Sequence, residues 1–349
     1  MQNEWFEAVK QSGAHFDGSR VLHFGDAAAE RRAAVSSDVV APLTDLGYVS
    51  ASGADCEKFL QGQFTNDTRQ VTATRSQLSS YCNPKGRMLA LFRLVKRGDD
   101  YLIQLPASLQ PAFQKRLAMF ILMSKVKLDN ATERLATIGL SGPHAEAILQ
   151  GLGQTVPAES DGVFTQNGIT IVRLPGTTPR FQIIGEVQTL QILWQTLASK
   201  VKPVGEPAWE LLDILAGLPN VYPETVEAFV PQMVNLHLIN GVSFTKGCYT
   251  GQEVVARMQY LGKLKRRLFR AHIDSDSVPL PGAELFSATS ESGQGAGKVV
   301  LAQPAAEGGI DLLAVVQIGC AEEDGVHLND AQGPKLQFLP LPYAVNDAE

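Results

Sequence analysis

From Lys263 to the C-terminus the helical period nearly vanishes, and this break constrains the fold more than any other feature of the chain. The segments "RRLFRAHID", "AELFSATS", "GAGKVVLAQP", "IDLLAVVQI" and "KLQFLPLP" are short strands at roughly regular spacing. That pattern predicts a small antiparallel barrel or sandwich over 263–349. Upstream, helix and strand patterns intermix. "LGYVSASG" alternates as a strand, and "ADCEKFLQGQFTND" reads as a helix opened near Gly53 or Ala54 and ended by Gly62. "SQLSSYCNPKGRMLALFRLVKRGDDYLIQLP" reads as antiparallel strands with turns at 83–86 and 97–100. Leu109, Phe113, Leu117, Phe120 and Ile121 fall at helical spacing within 107–124. A strand, a Ser141-Gly142-Pro143 turn and a helix from near His144 follow; "GITIVRLPG", "RFQIIGE" and "VQTLQILWQTLASK" complete a β-α-β-β-α unit.

This texture predicts an α+β protein of several domains, as expected for 349 residues. Residues 1–41 read as an N-terminal extension or added helix. Residues 42–132 plus 201–262 form one discontinuous α+β domain, 133–200 a ferredoxin-like unit, and 263–349 the β module. The formal net charge of −6 argues against a nucleic-acid-coating role, which needs a basic excess. No run of about 18 apolar residues occurs, so no membrane association is expected. "MQNEWFEAVKQSGAHF" lacks the basic start and apolar core of a secretory signal, and Glu4 and Glu7 disfavour a mitochondrial presequence, so a cytoplasmic location is expected. Cys56, Cys82, Cys248 and Cys320 form no CxxC pair and read as reduced thiols; no two candidate ligands have metal-site spacing.

Several motifs fail on inspection. "SGQGAGKVV" has Ser292 where a P-loop needs glycine, and Val299 follows Lys298, so it reads as a glycine-rich hairpin turn. The histidines form no HExxH pair and no serine sits in a GxSxG elbow. "KLKRRLFR" is the one basic cluster, read as a solvated strand with Leu264 inward.

"FTKGCYTGQEVVAR", Phe244 to Arg257, carries the chemistry. Thr250 and Glu253 fit a capping box at the start of a helix whose apolar face holds Val254, Val255, Met258 and Leu261. Cys248 falls two residues before that cap, and Lys246 and Arg257 add positive charge nearby. These are conditions that raise a thiolate fraction. The local sequence leaves two readings open: a reactive thiol, or a capped helix beside an inert cysteine.

"KGCYTGQE", Lys246 to Glu253, resembles the signature of the YgfZ proteins, folate-binding relatives of the glycine cleavage T-protein. "FLQGQFTND", "CNPKGRM", "LAGLPNVYPETVEAFVPQMVNL" and "FLPLPY" support the likeness, which spans 43–343. It implies a three-domain ring ending in an antiparallel β-barrel, with a central hole that admits tetrahydrofolate or another reduced folate and with the signature loop facing that hole. It implies, too, an accessory role in iron–sulfur cluster assembly or repair. The partners would be iron–sulfur assembly proteins or cluster enzymes, including tRNA-modifying ones, met transiently. On the resemblance Cys248 is the functional thiol and Lys246 its support. Trp209, Lys246, Gln252, Glu253, Arg257, Asn66 and Asp67 are the candidate folate contacts. A second family tryptophan is Leu46 here, with Tyr48 as its nearest aromatic substitute. The carboxylates of the aminomethyl-transferring T-proteins are missing from "KGRMLALF", and "LPGTTPRFQI" replaces a second acidic segment. Without them the site lacks the charge for aminomethyl transfer, so folate binding without that reaction is expected. A one-carbon transferase of unassigned substrate and an RNA-binding module acting through "KLKRRLFR" are the alternatives.

Overall fold

Alternating side chains give strands Leu135–Ser141 and Arg180–Glu186 one apolar face and one polar face, and the chain is assembled around that difference. The computed structural model describes residues 2–290, 295–323 and 325–345. Two compact units result. One comprises Met1–Leu60, Thr68–Gln77 and Phe92–Leu212; the other comprises Gln61–Asp67, Leu78–Leu91 and Asp213–Glu349.

In the first unit a six-stranded sheet runs in the order Val163–Gln166, Ile169–Leu174, Arg180–Glu186, Leu135–Ser141, Val39–Pro42, Lys202–Pro203. Its neighbours are antiparallel except Lys202–Pro203, which lies parallel to Val39–Pro42. Ile138, Leu140, Phe181 and Ile183 meet Leu190 and Trp194 of helix Val187–Ala198 on the apolar face. Strands Leu46–Ser52, Asp100–Pro106 and Lys127–Asn130 pair in a second antiparallel sheet, with Val49 opposite both Ile103 and Asn130.

The N-terminal segment is no peripheral extension. Trp5 and Val9 of helix Gln2–Gln11, with Val21 and Val40, belong to the same buried core, and the Trp5 ring meets Trp194 edge-on at 6.0 Å. Two buried carboxylates hold the following residues. Glu30 accepts from the amides of Phe24 (2.7 Å) and Gly205 (2.9 Å). Glu206 accepts from the amides of Val21 (3.1 Å) and Asp45 (3.0 Å) and from the Thr44 hydroxyl. A Cβ on Gly205 would lie 2.0 Å from the Leu22 carbonyl oxygen, so only glycine permits this approach. Burial pushes the Glu206 carboxyl up to about 7.

The second unit carries the all-β end. Its antiparallel sheet orders the strands His327–Leu328, Glu284–Phe286, Gly297–Pro304, Ile310–Gln317, Arg266–Ile273 and Gln337–Leu339. It curls into a half-barrel over Ile273, Leu285, Val299, Leu312, Ala314 and Val316. The turn expected within "SGQGAGKVV" begins at Ser292, outside the described residues; the strands beside it pair with Glu284 opposite Lys298. Among the described residues no helix is long and apolar enough to cross a membrane.

Candidate functional site

Between Phe244 and Gly251 the chain forms no regular element, and its side chains divide by direction. Lys246 and Tyr249 turn inward and are buried; Gly247 and Cys248 face solvent. Lys246 is 5% exposed, and its ammonium donates to the carbonyls of Gln61 (2.7 Å), Phe64 (2.6 Å) and Asn66 (2.8 Å). It also lies 5.1 Å from the centre of the Tyr249 ring. A buried ammonium survives only where such acceptors replace water. Through these three carbonyls Lys246 fastens the loop to residues 61–66.

Helix Gln252–Tyr260 begins differently from the expected capping box. Its N-cap is Gly251 at φ 84°, and no side chain caps it. The cause is tertiary: a Cβ on Gly251 would lie 2.4 Å from the Asn83 carbonyl oxygen and 3.0 Å from Gly86 Cα. The Asn83–Gly86 turn is itself fixed by Asn83 Oδ1, which accepts from the amides of Lys85 (2.9 Å) and Arg87 (3.0 Å). Asn83 Nδ2 donates to Glu227 at 2.9 Å. Glu253, freed from capping, forms an exposed ion pair with Arg257 at 3.0 Å. Leu261 lies past the helix end and is exposed, so it is not part of the helix's buried face.

Four sequence motifs thus meet in one unit. "KGCYTGQE" reaches "FLQGQFTND" through Lys246 and "CNPKGRM" through Gly251. Gln232 of "VPQMVNL" donates to the Val255 carbonyl at 2.7 Å. Asn66 is wholly engaged in this scaffold: its amide nitrogen donates to Leu78 (2.9 Å) and Asn240 (2.6 Å), and its amide oxygen accepts from the Asp67 N–H (2.9 Å). Asp67 is buried beside it, while Gln252 is half-buried at the helix start.

Of the four cysteines Cys248 alone is exposed. Burial pushes the Cys56 and Cys82 thiols up to about 12, which leaves both as neutral, inert thiols. No sequence pattern marks Tyr249. Its phenol is buried, has no hydrogen-bond partner among the described residues, and is held well above its ordinary range by burial and by Cys82. Among the described residues no three His, Cys, Asp or Glu side chains gather as a metal site.

Trp209 and Tyr48 lie in the other unit, and neither is an open stacking wall. Trp209 is 3% exposed, with the Arg180 guanidinium 4.8 Å from its ring centre. Its other neighbour is strand residue Gly139, where a Cβ would lie 2.6 Å from Trp209 Cζ3. Trp209 is therefore a core aromatic, packed where glycine makes room. The Tyr48 hydroxyl bonds Thr137 and accepts from Gln104 Nε2 at 2.9 Å, so it too is engaged internally. In "KLKRRLFR", Arg266 donates to the Gly295 carbonyl (3.0 Å) and Arg267 lies 4.8 Å from the Phe269 ring centre, which ties both cations to the sheet.

A family model described as the GCVT N-terminal domain matches residues 3–239, more than half of the chain. A protein of Colwellia psychrerythraea called tRNA-modifying protein YgfZ is 39% identical over 227 residues, 65% of this chain and 69% of that one. Proteins of the same name are 30% identical over 312 residues in Edwardsiella ictaluri and 31% identical over 303 residues in Yersinia pestis. The first covers 88% of this chain and 93% of its own length, the second 87% and 92%. The glycine cleavage system aminomethyltransferase T of Bartonella henselae superimposes with a TM-score of 0.77 over 97% of this chain and 96% of that chain. At 17% identity this is a likeness of fold, and it makes the mixed α+β architecture that of the T-protein. The chain belongs to the GCVT N-terminal-domain family and, within it, to the YgfZ proteins.

Proposed function

We propose that this protein is a cytoplasmic, folate-binding accessory factor for iron–sulfur cluster assembly or repair, and that it supports tRNA-modifying cluster enzymes through the Cys248 thiol. One observation carries the reading. Buried Lys246 ties the loop to the carbonyls of Gln61, Phe64 and Asn66, Gly251 packs on the Asn83–Gly86 turn, and Cys248 between them faces solvent. A scaffold of this kind preorganises a thiol without making it part of a hydrolytic or metal centre. One thiolate cannot hold a cluster, so Cys248 would share it transiently with ligands from a partner.

The donor set suits a reduced folate. The Tyr249 hydroxyl is a buried polar atom without a partner among the described residues, and a pterin or its amide linkage offers acceptors to such a phenol. Tyr249, Gln252 and Asp67, with the Glu253–Arg257 pair at the rim, are the residues that would hold it. Lys246 and Asn66 would shape the site from behind, since their polar groups already bind the backbone. Folate, when bound, supplies a one-carbon carrier. The chain's residues bind and orient it, because the segment from Lys85 to Phe92 contains no carboxylate to promote transfer.

Anaerobic calorimetric titration with tetrahydrofolate tests the reading. Saturable binding is expected for wild type and for Cys248→Ser alike, with weaker binding for Gln252→Ala. Absence of saturable binding to the wild type removes the folate half of the proposal.

A further inference from the structure

A second exposed surface lies in the other unit from Cys248 and belongs to neither the thiol nor the folate reading. Helix Gln110–Ala118 stops short of the expected 107–124 span and gives way to a tip. There Met119, Phe120, Leu122 and Met123 are 69%, 40%, 90% and 97% exposed. Single exposed apolar residues are ordinary, and Ile192 at 71% is one such. Four within five consecutive positions form a patch.

The tip has a fixed shape. The Asp55 amide donates to the Lys125 carbonyl (3.3 Å), and Asp55 Oδ2 accepts from the Lys125 amide (2.7 Å). A Cβ on Gly53 would lie 2.2 Å from that same carbonyl oxygen, so the base of the tip sits against bare backbone. The Ser124 amide closes the turn on the Ile121 carbonyl at 2.8 Å. Leu122 adopts φ 43°, a left-handed conformation that a leucine keeps only when its surroundings impose it.

The rim is cationic. From Lys115 to Lys127 the sequence "KRLAMFILMSKVK" holds Lys115, Arg116, Lys125 and Lys127 and no acid, in a chain of net charge −6. Lys115, Arg116 and Lys125 are exposed. Asp129 pairs with Lys127 at 2.7 Å and Asp55 binds the Lys125 backbone, so the rim's positive charge rests on Lys115, Arg116 and Lys125.

We infer that this tip is a docking knob for another protein, one that offers an apolar groove rimmed by aspartate and glutamate. A fluid lipid surface requires no preset shape, whereas a knob held in one conformation loses little freedom on entering a shaped groove. The two methionines supply deformable contacts for that groove, and the cations match its acids. The inference is independent of folate binding and of Cys248.

Full-length protein with the photoreactive residue p-benzoylphenylalanine in place of Met123 tests it, with the same substitution at Ile192 as the control. Irradiation in cells is followed by mass spectrometry of the adducts, and the captured protein is then purified and titrated against the unmodified chain. The expected result is a protein adduct at position 123 and none at 192. Leu122→Asp and the double variant Lys115→Glu/Arg116→Glu should each weaken binding by about tenfold or more, as loss of an anchor or of a complementary charge does. Aspartate accepts the left-handed backbone at 122 better than leucine, so that variant keeps the fold. A lipid adduct, no adduct, equal capture at 192, or unchanged affinity in both variants overturns the inference.

Discussion

Replacing Lys246 by methionine separates the two roles that a lysine beside a cysteine could have. The side chain keeps the lysine stem and loses the ammonium, which removes its hydrogen bonds to the carbonyls of Gln61, Phe64 and Asn66. The first is half-buried and can turn to water; the other two bonds are buried. An unsatisfied buried carbonyl costs about 1–3 kcal/mol, and hydrogen bonds to a charged group contribute about 1.5–3 kcal/mol each. Relief from burying an ammonium offsets part of this, so a net loss of about 3 kcal/mol is expected. With a urea slope of about 2 kcal/mol per molar, the unfolding midpoint falls by about 1.5 M. Far-UV circular dichroism is the appropriate probe, because Trp5, Trp194 and Trp209 all lie in the other unit. The alternative, that Lys246 acts on Cys248 through its charge, predicts a nearly unchanged midpoint and slower thiol labelling at fixed pH. Coincident midpoints for Lys246→Met and wild type refute the scaffold argument.

Three further outcomes follow from the geometry. Because burial raises the Glu206 carboxyl from 4.5 to about 7, the folded chain binds its proton more tightly than the unfolded chain does. That contribution is fully present below pH 4.5 and is lost as pH rises through about 7, at most about 3 kcal/mol. Glu206→Gln should remove this slope, seen as a wild-type-minus-variant difference in urea midpoint that changes between pH 5 and pH 8; a constant difference contradicts it. Gly139→Ala pushes a methyl to 2.6 Å from Trp209 Cζ3 and should cost about 1–3 kcal/mol, with a shift in tryptophan fluorescence. Gly251→Ala meets both a φ of 84° and the Asn83 oxygen at 2.4 Å, and should lower the thermal midpoint by more than Gly247→Ala, where the added Cβ meets nothing within 4 Å.

Local periodicity was enough to place most elements. Strands Met88–Arg97 and Asp100–Pro106 and helix Val187–Ala198 fall where alternation and helical spacing put them. What failed was set by contacts distant in sequence. The capping box at Thr250 and Glu253 is locally sound, yet the Asn83 turn approaches so closely that glycine at 251 becomes the cap. The resemblance makes Trp209 a candidate folate contact, whereas its burial beside Gly139 and Arg180 is set by residues distant in sequence. Residues 1–41 read as an extension or an added helix because their helical pattern is short and their sequence Ala- and Ser-rich; the core contacts of Trp5 and Val9, and the backbone amides held by Glu30 and Glu206, are displayed by no sequence pattern. For Lys246 the sequence gives no direction, since lysine is mostly a surface residue. Its inward turn is legible only from the three carbonyls awaiting it.

The proposed function rests on the exposed thiol of Cys248. Its most direct test is complementation of a strain lacking this protein with Cys248→Ser, reading cluster-dependent tRNA modifications by mass spectrometry. The variant should be as stable as wild type, within about 0.5 kcal/mol for an exposed side chain, and should fail to restore those modifications. Full restoration by Cys248→Ser would contradict it.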